Sequence, residues 1–221
     1  MDIKTARSAE PKARDLKNKK ILITAGPTWI PIDKVRVISN IATGETGILL
    51  ARQAKRKGAK VTLILGPVSD CCIDKTIDVL RYRFFDELKS TIVKQLKSKK
   101  FDIVIHTAAV SDFKLASSFK GKIDSGIKSL NLKLIPTEKL VRLFKKIQPG
   151  IKLVIFKLEL GVSKNALIKR ALKAKKEYNA DIAVANTYVA SRYRAFIIDN
   201  AGKVIPASNK NIIVRKLLST F

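Results

Sequence analysis

The first residues that suggest chemistry are glycines and hydroxyl side chains in the segment ITAGPTWIPIDKVRVISNIATGETG. Gly26 closes an apolar run, but Pro27 follows it, so the G-x-G-x-x-G pattern of dinucleotide-binding proteins is absent. Gly44 and Gly47 come much later, where a helix is expected to begin, and there backbone N–H groups can approach phosphate oxygens closely. Ser39 and Thr43 add hydroxyl donors. The segment therefore indicates a phosphate-binding loop, although close packing of helix on strand would also explain the glycines.

A second group of candidate binding residues follows the apolar run FDIVIHTAAV. Ala108 and Ala109 are small enough to let a ligand approach the end of a buried strand. With them, Phe113 would bracket a bound ligand, and Asp112 would hydrogen-bond that ligand or lie near a metal. The alternative for Asp112 is a helix N-cap at the strand end. His106 lies inside the apolar run and is interpreted as a buried strand residue.

The composition limits the possible classes of protein. The chain has 221 residues and 24.5 kDa, enough for one domain with a proper core. Its only cysteines, Cys71 and Cys72, are adjacent and poorly placed for a disulfide, and with a single histidine inside an apolar run a histidine-built triad or metal centre is not expected. No protein metal site is predicted. The absence of a long apolar run and of a signal-peptide pattern predicts a cytoplasmic protein without membrane contact.

The net charge of +27, from 45 Lys and Arg against 18 Asp and Glu, raises the possibility of nucleic-acid binding. The basic residues are spread along the whole chain, and no zinc finger or RNP aromatic pair accompanies them. A solvated basic surface is the simpler interpretation. Because the same charge would attract small anionic substrates, it does not discriminate between these classes.

Short apolar runs alternate with helical patterns along the chain. The runs are KILITAG, KVTLILGP, TIDVLRY, FDIVIHTAAV, KLVIFKLE, DIAVANT and AFIIDN. Amphipathic helices are predicted at 47–57 and 86–97, and Thr137, Ser163 and Ser208 are predicted as N-caps of later helices. This alternation predicts an α/β protein with a doubly wound, Rossmann-like, mostly parallel sheet and a ligand site at the carboxyl ends of its strands.

Two segments depart from this alternation. Residues 1–19 are charged and without periodicity, and are predicted to be a flexible basic tail or linker remnant before a domain at 20–221. Residues 114–139 are too long and polar for a simple turn, and the alternation of Leu130, Leu132 and Leu134 suggests a strand. We expect a protruding flap with a hairpin beside the site; an ordinary solvent loop is the alternative.

The ordered motifs ITAGPT, PIDKVRVISN, AAVSDF, KI at 122–123, FKLE and DIAVAN resemble those of phosphopantothenate-cysteine ligase, an enzyme family of coenzyme A biosynthesis. The similarity covers nearly the whole chain from residue 19. The resemblance implies a homodimer that joins 4′-phosphopantothenate to cysteine through an acyl-nucleotide, consuming CTP or ATP with Mg²⁺ and releasing pyrophosphate. In many organisms a flavin-dependent decarboxylase precedes this domain, and ARDLKNKK resembles the linker. The decarboxylase pattern is absent here, so no flavin is predicted, and a separate decarboxylase is a possible partner.

The resemblance also assigns roles to individual residues. Asn40 matches the Asn whose amide would stabilise the oxyanion formed when cysteine attacks. Lys122 matches the flap lysine that would close over the triphosphate, and Arg36 is a candidate clamp for an anionic substrate group. Without the resemblance, Asn40 and Arg36 would be interpreted as loop-stabilising side chains and Lys122 as a solvated surface lysine.

The resemblance implies that Ala108, Ala109 and Phe113 bracket a nucleotide base and sugar and that Asp112 bonds the ribose hydroxyls. Phe156, Lys157 and Glu159 are expected to line the nucleotide pocket, and Asn186 ends a strand near the site. In the basic helix KRALKAKKEY, Lys173 or Lys176 is expected to contact phosphates.

Several motifs depart from the bacterial fused enzymes of this family. Those enzymes typically carry K-I-K-K and F-A-x-E-T, whereas this chain has KIDS and FKLE, and ATGETG replaces the usual S-S-G-x-x-G. The choice between CTP and ATP therefore stays open. Two alternative functions are an NAD(P)-dependent Rossmann-type reductase or epimerase, and a nucleic-acid-binding module on the same fold. The missing G-x-G-x-x-G argues against the first.

Overall fold

A computed structural model describes residues 15–68, 73–117, 119, 121–189 and 192–221. Cys71 and Cys72 lie outside these residues, as does most of the predicted tail. The packed part of the chain extends back before residue 20, because Leu16 is buried and its N–H donates to the Lys57 carbonyl.

The described residues form twelve strands and five helices. The strands are β1 (Lys20–Ala25), β2 (Trp29–Pro31), β3 (Val37–Ser39), β4 (Lys60–Leu65), β5 (Asp78–Arg81), β6 (Ile103–His106), β7 (Phe113–Leu115), β8 (Leu134–Pro136), β9 (Lys152–Leu158), β10 (Ile182–Val189), β11 (Arg192–Ile198) and β12 (Val204–Ala207). The helices are α1 (Glu45–Arg56), α2 (Phe85–Ser98), α3 (Val141–Ile147), α4 (Lys164–Glu177) and α5 (Lys210–Leu218).

The central sheet has eight strands in the order β12-β11-β10-β9-β6-β1-β4-β5. The six strands from β10 to β5 pair in parallel, and β11 and β12 add an antiparallel edge. This architecture confirms the predicted doubly wound, mostly parallel sheet. The antiparallel turn at β11 and the extra strand β12 were not predicted.

Alternating residues of β1 show why helices cover both faces of the sheet. Ile21 and Ile23 pack with α1 and α5 on one face, whereas Leu22 packs with α2, α3 and α4 on the other. Strands buried on both faces must be apolar throughout, which explains the continuous Ile-rich runs. The switch of connection direction between β1 and β6 leaves a crevice at their carboxyl ends.

The helix predictions are confirmed in position but not in every cap. Both early helices appear within a few residues of their predicted limits, and the Ser163 hydroxyl caps α4 by accepting from the Ala166 N–H. Thr137 was wrongly predicted as a cap: its hydroxyl donates to the Ser111 carbonyl, and α3 begins later. Ser208 was also wrong by one residue, because the side chain of Asn209 caps α5.

Two small sheets flank the crevice. The hairpin β2–β3 lies inside the long segment between β1 and α1 and was not predicted. The strands β7 and β8 pair antiparallel and form the base of the predicted flap, so the strand around Leu134 is confirmed, while Leu130 and Leu132 lie outside it. None of the helices in the described part of the chain has the length and apolarity needed to span a bilayer.

Candidate active-site cleft

A cleft of about 820 Å³ runs along the carboxyl ends of β1, β6, β9 and β10, beside the first turn of α1. Most of the predicted ligand-binding residues line it. They are Gly26, Asn40, Thr43, Gly44, Gly47, Ala108, Ala109, Asp112, Phe156 and Lys157, together with Asn186. The lining does not include Arg36, Ser39, Phe113, Lys122, Glu159, Lys173 or Lys176.

The start of α1 is open toward the cleft. Gly44 occupies the N-cap position with φ of 69°, a left-handed conformation that favours glycine, and it offers no side chain to cap the helix. The Thr43 hydroxyl accepts from the Glu45 N–H at 3.4 Å. The other N–H groups of the first turn are therefore in the position where helices bind anions.

Gly47 is fixed by packing as well as by its position at the cleft. A Cβ at Gly47 would lie 2.4 Å from the Ala25 Cβ and 2.6 Å from the Thr107 Oγ1. Only glycine lets α1 approach β1 this closely. Phosphate binding and close packing are therefore compatible explanations of this glycine, since the close packing is what places the helix start at the end of β1.

Asn40 links the long loop to the end of β6. Its side-chain N–H groups donate to the carbonyls of Ala109 at 3.1 Å and Val110 at 3.4 Å. These bonds hold the amide at the cleft surface, although the side chain itself is exposed. To stabilise an oxyanion, as predicted, one of these N–H groups would have to turn from its carbonyl toward the ligand. Nearby, the Ser39 hydroxyl donates to backbone carbonyls and lies outside the cleft.

The side of the cleft at Asp112 continues into a smaller pocket of about 160 Å³. The Lys139 ammonium group donates to the Asp112 carboxylate at 2.6 Å, and this bond raises the pKa of Lys139. Phe156 and Lys157 line both the cleft and the pocket. An apolar ring beside a lysine–aspartate pair is suited to a flat ring with polar edges, such as a nucleobase and its sugar.

His106 also borders the smaller pocket but is held as a strand residue. Its Nδ1 lies 2.7 Å from the Thr24 hydroxyl, and its ring is 5.2 Å from that of Phe144. Burial lowers the pKa of His106 to about 4, so the imidazole is neutral at physiological pH. The geometry agrees with the predicted strand position, although the residue is partly exposed at the pocket and not fully buried as predicted.

Arg36 and Lys122 both lie outside the cleft lining, and Arg36 contacts the flap next to Lys122. The guanidinium group of Arg36 pairs with Asp33 at 3.0 Å and donates to the Ile123 carbonyl at 3.4 Å. Asp33 also accepts from the Ile123 N–H at 3.0 Å, and this bond is the main reason why its pKa is lowered. The flap is therefore anchored at the residue after Lys122, whose side chain is exposed.

The other basic candidates lie on α4. Lys173 and Lys176 are exposed, and the buried side of that helix packs on the sheet face opposite α1. Glu159 is engaged by Lys157 at 3.0 Å and by Arg170. Burial tends to raise the pKa of Glu159, but the hydrogen bonds from these two cations outweigh it and lower the pKa.

The sequence did not predict one wall of the cleft, which is formed by Glu45, Tyr188, Tyr193 and Lys210. Tyr188 and Tyr193 face each other across β10 and β11, so they come together only because β11 turns back antiparallel. Lys210 is the first residue of α5 and pairs with Glu45, the first residue of α1. No local motif marks these residues.

Within the described ranges, no three His, Cys, Asp or Glu side chains cluster closely enough to hold a metal ion by themselves. The cleft does contain the Asp112 and Glu45 carboxylates and the Asn186 amide. Mg²⁺ that arrives with a nucleotide takes most of its ligands from phosphates and water, and needs only one or two from the protein. The oxygen ligands available in the cleft are compatible with that arrangement.

A doubly wound sheet with a crevice at its switch point defines a nucleotide- or cofactor-binding class of α/β protein. The chain belongs to the DNA/pantothenate metabolism flavoprotein C-terminal domain family, whose pattern matches residues 16–220. This membership confirms the resemblance found in the motifs.

Two curated relatives and one solved structure illustrate the family. The coenzyme A biosynthesis bifunctional protein CoaBC of Thermococcus kodakarensis is 40% identical over 185 residues, which are 83% of this chain and 44% of that protein. CoaBC of Borreliella burgdorferi is 34% identical over 209 residues, 92% of this chain and 52% of that protein. The chain therefore spans about half the length of these relatives. The DNA/pantothenate metabolism flavoprotein from Streptococcus pneumoniae superposes with a TM-score of 0.81 at 26% identity, covering 91% of this chain and 97% of that one.

Proposed function

We propose that this chain is a phosphopantothenate-cysteine ligase. In the proposed reaction the carboxylate of 4′-phosphopantothenate attacks the α-phosphate of CTP or ATP and expels pyrophosphate, and the cysteine amine then attacks the acyl-nucleotide. The observation that carries the proposal is that one cleft brings together the open first turn of α1 at Gly44 and the amide of Asn40. The first suits phosphates and the second suits an acyl carbonyl.

The chemistry of the cleft agrees with this reaction. The first nucleophile is a carboxylate that is already ionised at neutral pH, so no general base is needed to activate it. His106 is the one histidine of the sequence and does not line this cleft, so the titratable groups that line it are lysines, tyrosines and carboxylates. Such a site accelerates the reaction by bringing anionic groups together and balancing their charge.

Mg²⁺ is part of the proposal because the triphosphate must approach a carboxylate. Bound Mg²⁺ would neutralise phosphate charge and orient the α-phosphate. Asp112 is the side chain best placed to contribute a protein ligand, after release from Lys139. Lys122 would add charge from the flap, and its exposed side chain is free to move while Ile123 stays anchored.

A homodimer is also proposed. Large apolar side chains are exposed on the flap and on the neighbouring loops, at Val35, Ile41, Phe113, Phe119, Ile127 and Leu134. Dimerisation would cover such side chains, because contiguous exposed apolar patches are typical of interaction surfaces. Light scattering should give twice the chain mass of 24.5 kDa, and a monomer at micromolar concentration would contradict this part of the proposal.

Pyrophosphate release with CTP and ATP in parallel tests the proposed activity. Release should require both 4′-phosphopantothenate and Mg²⁺, and formation of the ligated product should additionally require cysteine. Release that does not depend on 4′-phosphopantothenate would refute the ligase. The parallel nucleotides would establish which of the two is used. A separate decarboxylase as partner and a cytoplasmic location stay predictions from the sequence.

A further inference from the structure

An ion pair between two helix starts forms part of the cleft wall. Lys210 begins α5 and its ammonium group pairs with the carboxylate of Glu45, which begins α1. The same ammonium group lies 6.0 Å from the centre of the Tyr193 ring. The Lys210 side chain is only 21% exposed, so it is held at the cleft wall and is not dispersed in solvent.

Glu45 occupies a position that a phosphate would compete for. A carboxylate in the first turn of a helix is stabilised by the helix dipole, and a phosphate group is stabilised there for the same reason. Glu45 follows Gly44 directly, at the open start of α1. With both anions present, their repulsion must be balanced, and Lys210 is the cation in contact with Glu45.

Two buried polar atoms line the wall beside Lys210 without a partner in the described part of the chain. They are the Tyr193 hydroxyl and the Asn186 Oδ1. The residue Tyr193 is only 9% exposed. A buried polar atom without a hydrogen bond destabilises the fold, so native proteins leave few of them, and each one calls for a partner such as an ordered water, an ion or a ligand. This wall is therefore suited to a polar ligand.

We propose that Lys210 leaves Glu45 when a nucleoside triphosphate binds, and that it then contacts the β- and γ-phosphates while the Tyr193 hydroxyl donates a second hydrogen bond to them. Glu45 thereby acts as an internal competitor of the nucleotide. The inference rests on the proposed function, because it assigns the triphosphate to this cleft. The start of α1 takes the neighbouring phosphate, and Lys210 supplies the further positive charge that a triphosphate requires.

The two partners of the ion pair should have opposite effects on affinity. Calorimetric titration with CTP and ATP in the presence of Mg²⁺ and without 4′-phosphopantothenate measures binding without turnover. Lys210→Met should weaken triphosphate binding about 10-fold or more, the scale of a lost charge-assisted hydrogen bond. Glu45→Gln should tighten it several-fold, because a competing charge is removed.

Nucleoside monophosphates separate a phosphate contact from general damage. CMP and AMP lack β- and γ-phosphates, so Lys210→Met should leave their affinity unchanged. Tyr193→Phe should weaken triphosphate binding while the melting temperature stays equal or rises, because an unpartnered hydroxyl is removed. The matched control is Lys216→Met, which removes the same charge from the same helix outside the cleft and should change neither affinity.

A purely structural ion pair gives a different result. In that case Lys210→Met and Glu45→Gln would both lower the melting temperature and leave triphosphate affinity at the wild-type value, which would overturn the inference. Equal losses for monophosphates and triphosphates would also overturn it, as would a Lys210→Met defect confined to binding of 4′-phosphopantothenate. If the predicted shifts occur but the wild type releases no pyrophosphate with 4′-phosphopantothenate, the proposed function fails and the nucleotide contact stands.

Discussion

Gly47→Ala should destabilise the protein although alanine favours helices. The added Cβ would lie 2.4 Å from the Ala25 Cβ, whereas carbon atoms in contact are normally about 3.5–4.0 Å apart. Ala25 is buried in β1, which is paired on both sides, so α1 must move instead. Overpacking of this kind costs about 1–3 kcal/mol, and the gain in helix propensity returns only about 0.5–1 kcal/mol. A net loss of about 1–2 kcal/mol is expected.

Differential scanning calorimetry measures this loss as a lower melting temperature. For a domain of this size, 1–2 kcal/mol corresponds to a decrease of roughly 2–8 °C. Gly150→Ala is the control, because no atom lies within 4 Å of a Cβ there and its φ is not left-handed; its melting temperature should match the wild type. The displaced helix start should also reduce the stabilisation that added CTP or ATP gives. A Gly47→Ala protein that melts with the wild type would refute the packing argument.

Three further predictions concern the reaction and the pH response. Lys122→Gln should slow acyl-nucleotide formation by about 10²-fold or more, the scale for losing a preorganised charge, as measured by rapid quench. Asn40→Ala should impair the attack of cysteine more than the first step, so that the acyl-nucleotide accumulates in the same assay. Normal formation of the intermediate by Lys122→Gln, or wild-type rates of both steps in Asn40→Ala, would contradict these roles. His106 has a lowered pKa of about 4, so the unfolded chain takes up its proton first as pH falls. The free energy of unfolding should therefore decrease between about pH 6.5 and 4. In urea titrations His106→Gln should reduce this decrease, and an identical pH dependence would count against the burial of a neutral imidazole.

The parallel part of the fold could be predicted because its strands carry a local signal. Runs such as KILITAG are apolar on both faces, which only a central strand between two helical layers requires. The strand β12 and the hairpin β2–β3 lack that signal: β2 and β3 have three residues each, and β12 lies at the exposed edge. The missed cap of α5 has a similar cause, because Ser208 and Asn209 are both good N-cap residues and only the backbone distinguishes them.

The residues of the candidate site also fall into two groups, those that a local sequence pattern predicts and those that it does not. Gly44 and Asn40 belong to a continuous loop with a recognisable pattern, and the structure brings both to one cleft. Tyr193 and Lys210 come from β11 and α5 and reach the cleft through strand pairing and helix packing. A local pattern carries no information on such contacts between distant segments. Arg36 was predicted as a clamp for an anionic substrate group, but its guanidinium group pairs with Asp33, a contact that depends on how the loop turns.

The anchor of the flap explains how Lys122 could serve a cleft that its side chain does not line. Asp33 accepts from the N–H groups of Val35, Arg36 and Ile123, so one buried carboxylate fixes both the loop and the flap. These bonds hold the backbone next to Lys122. In the proposed reaction only the side-chain torsions of Lys122 would then have to change for its ammonium group to approach a bound triphosphate. A flap without this anchor would also have to order its backbone in each catalytic cycle, and the lost conformational entropy would oppose that step. In the proposed reaction Asp33 would therefore be a positioning residue, which acts through Lys122 and does not contact substrate.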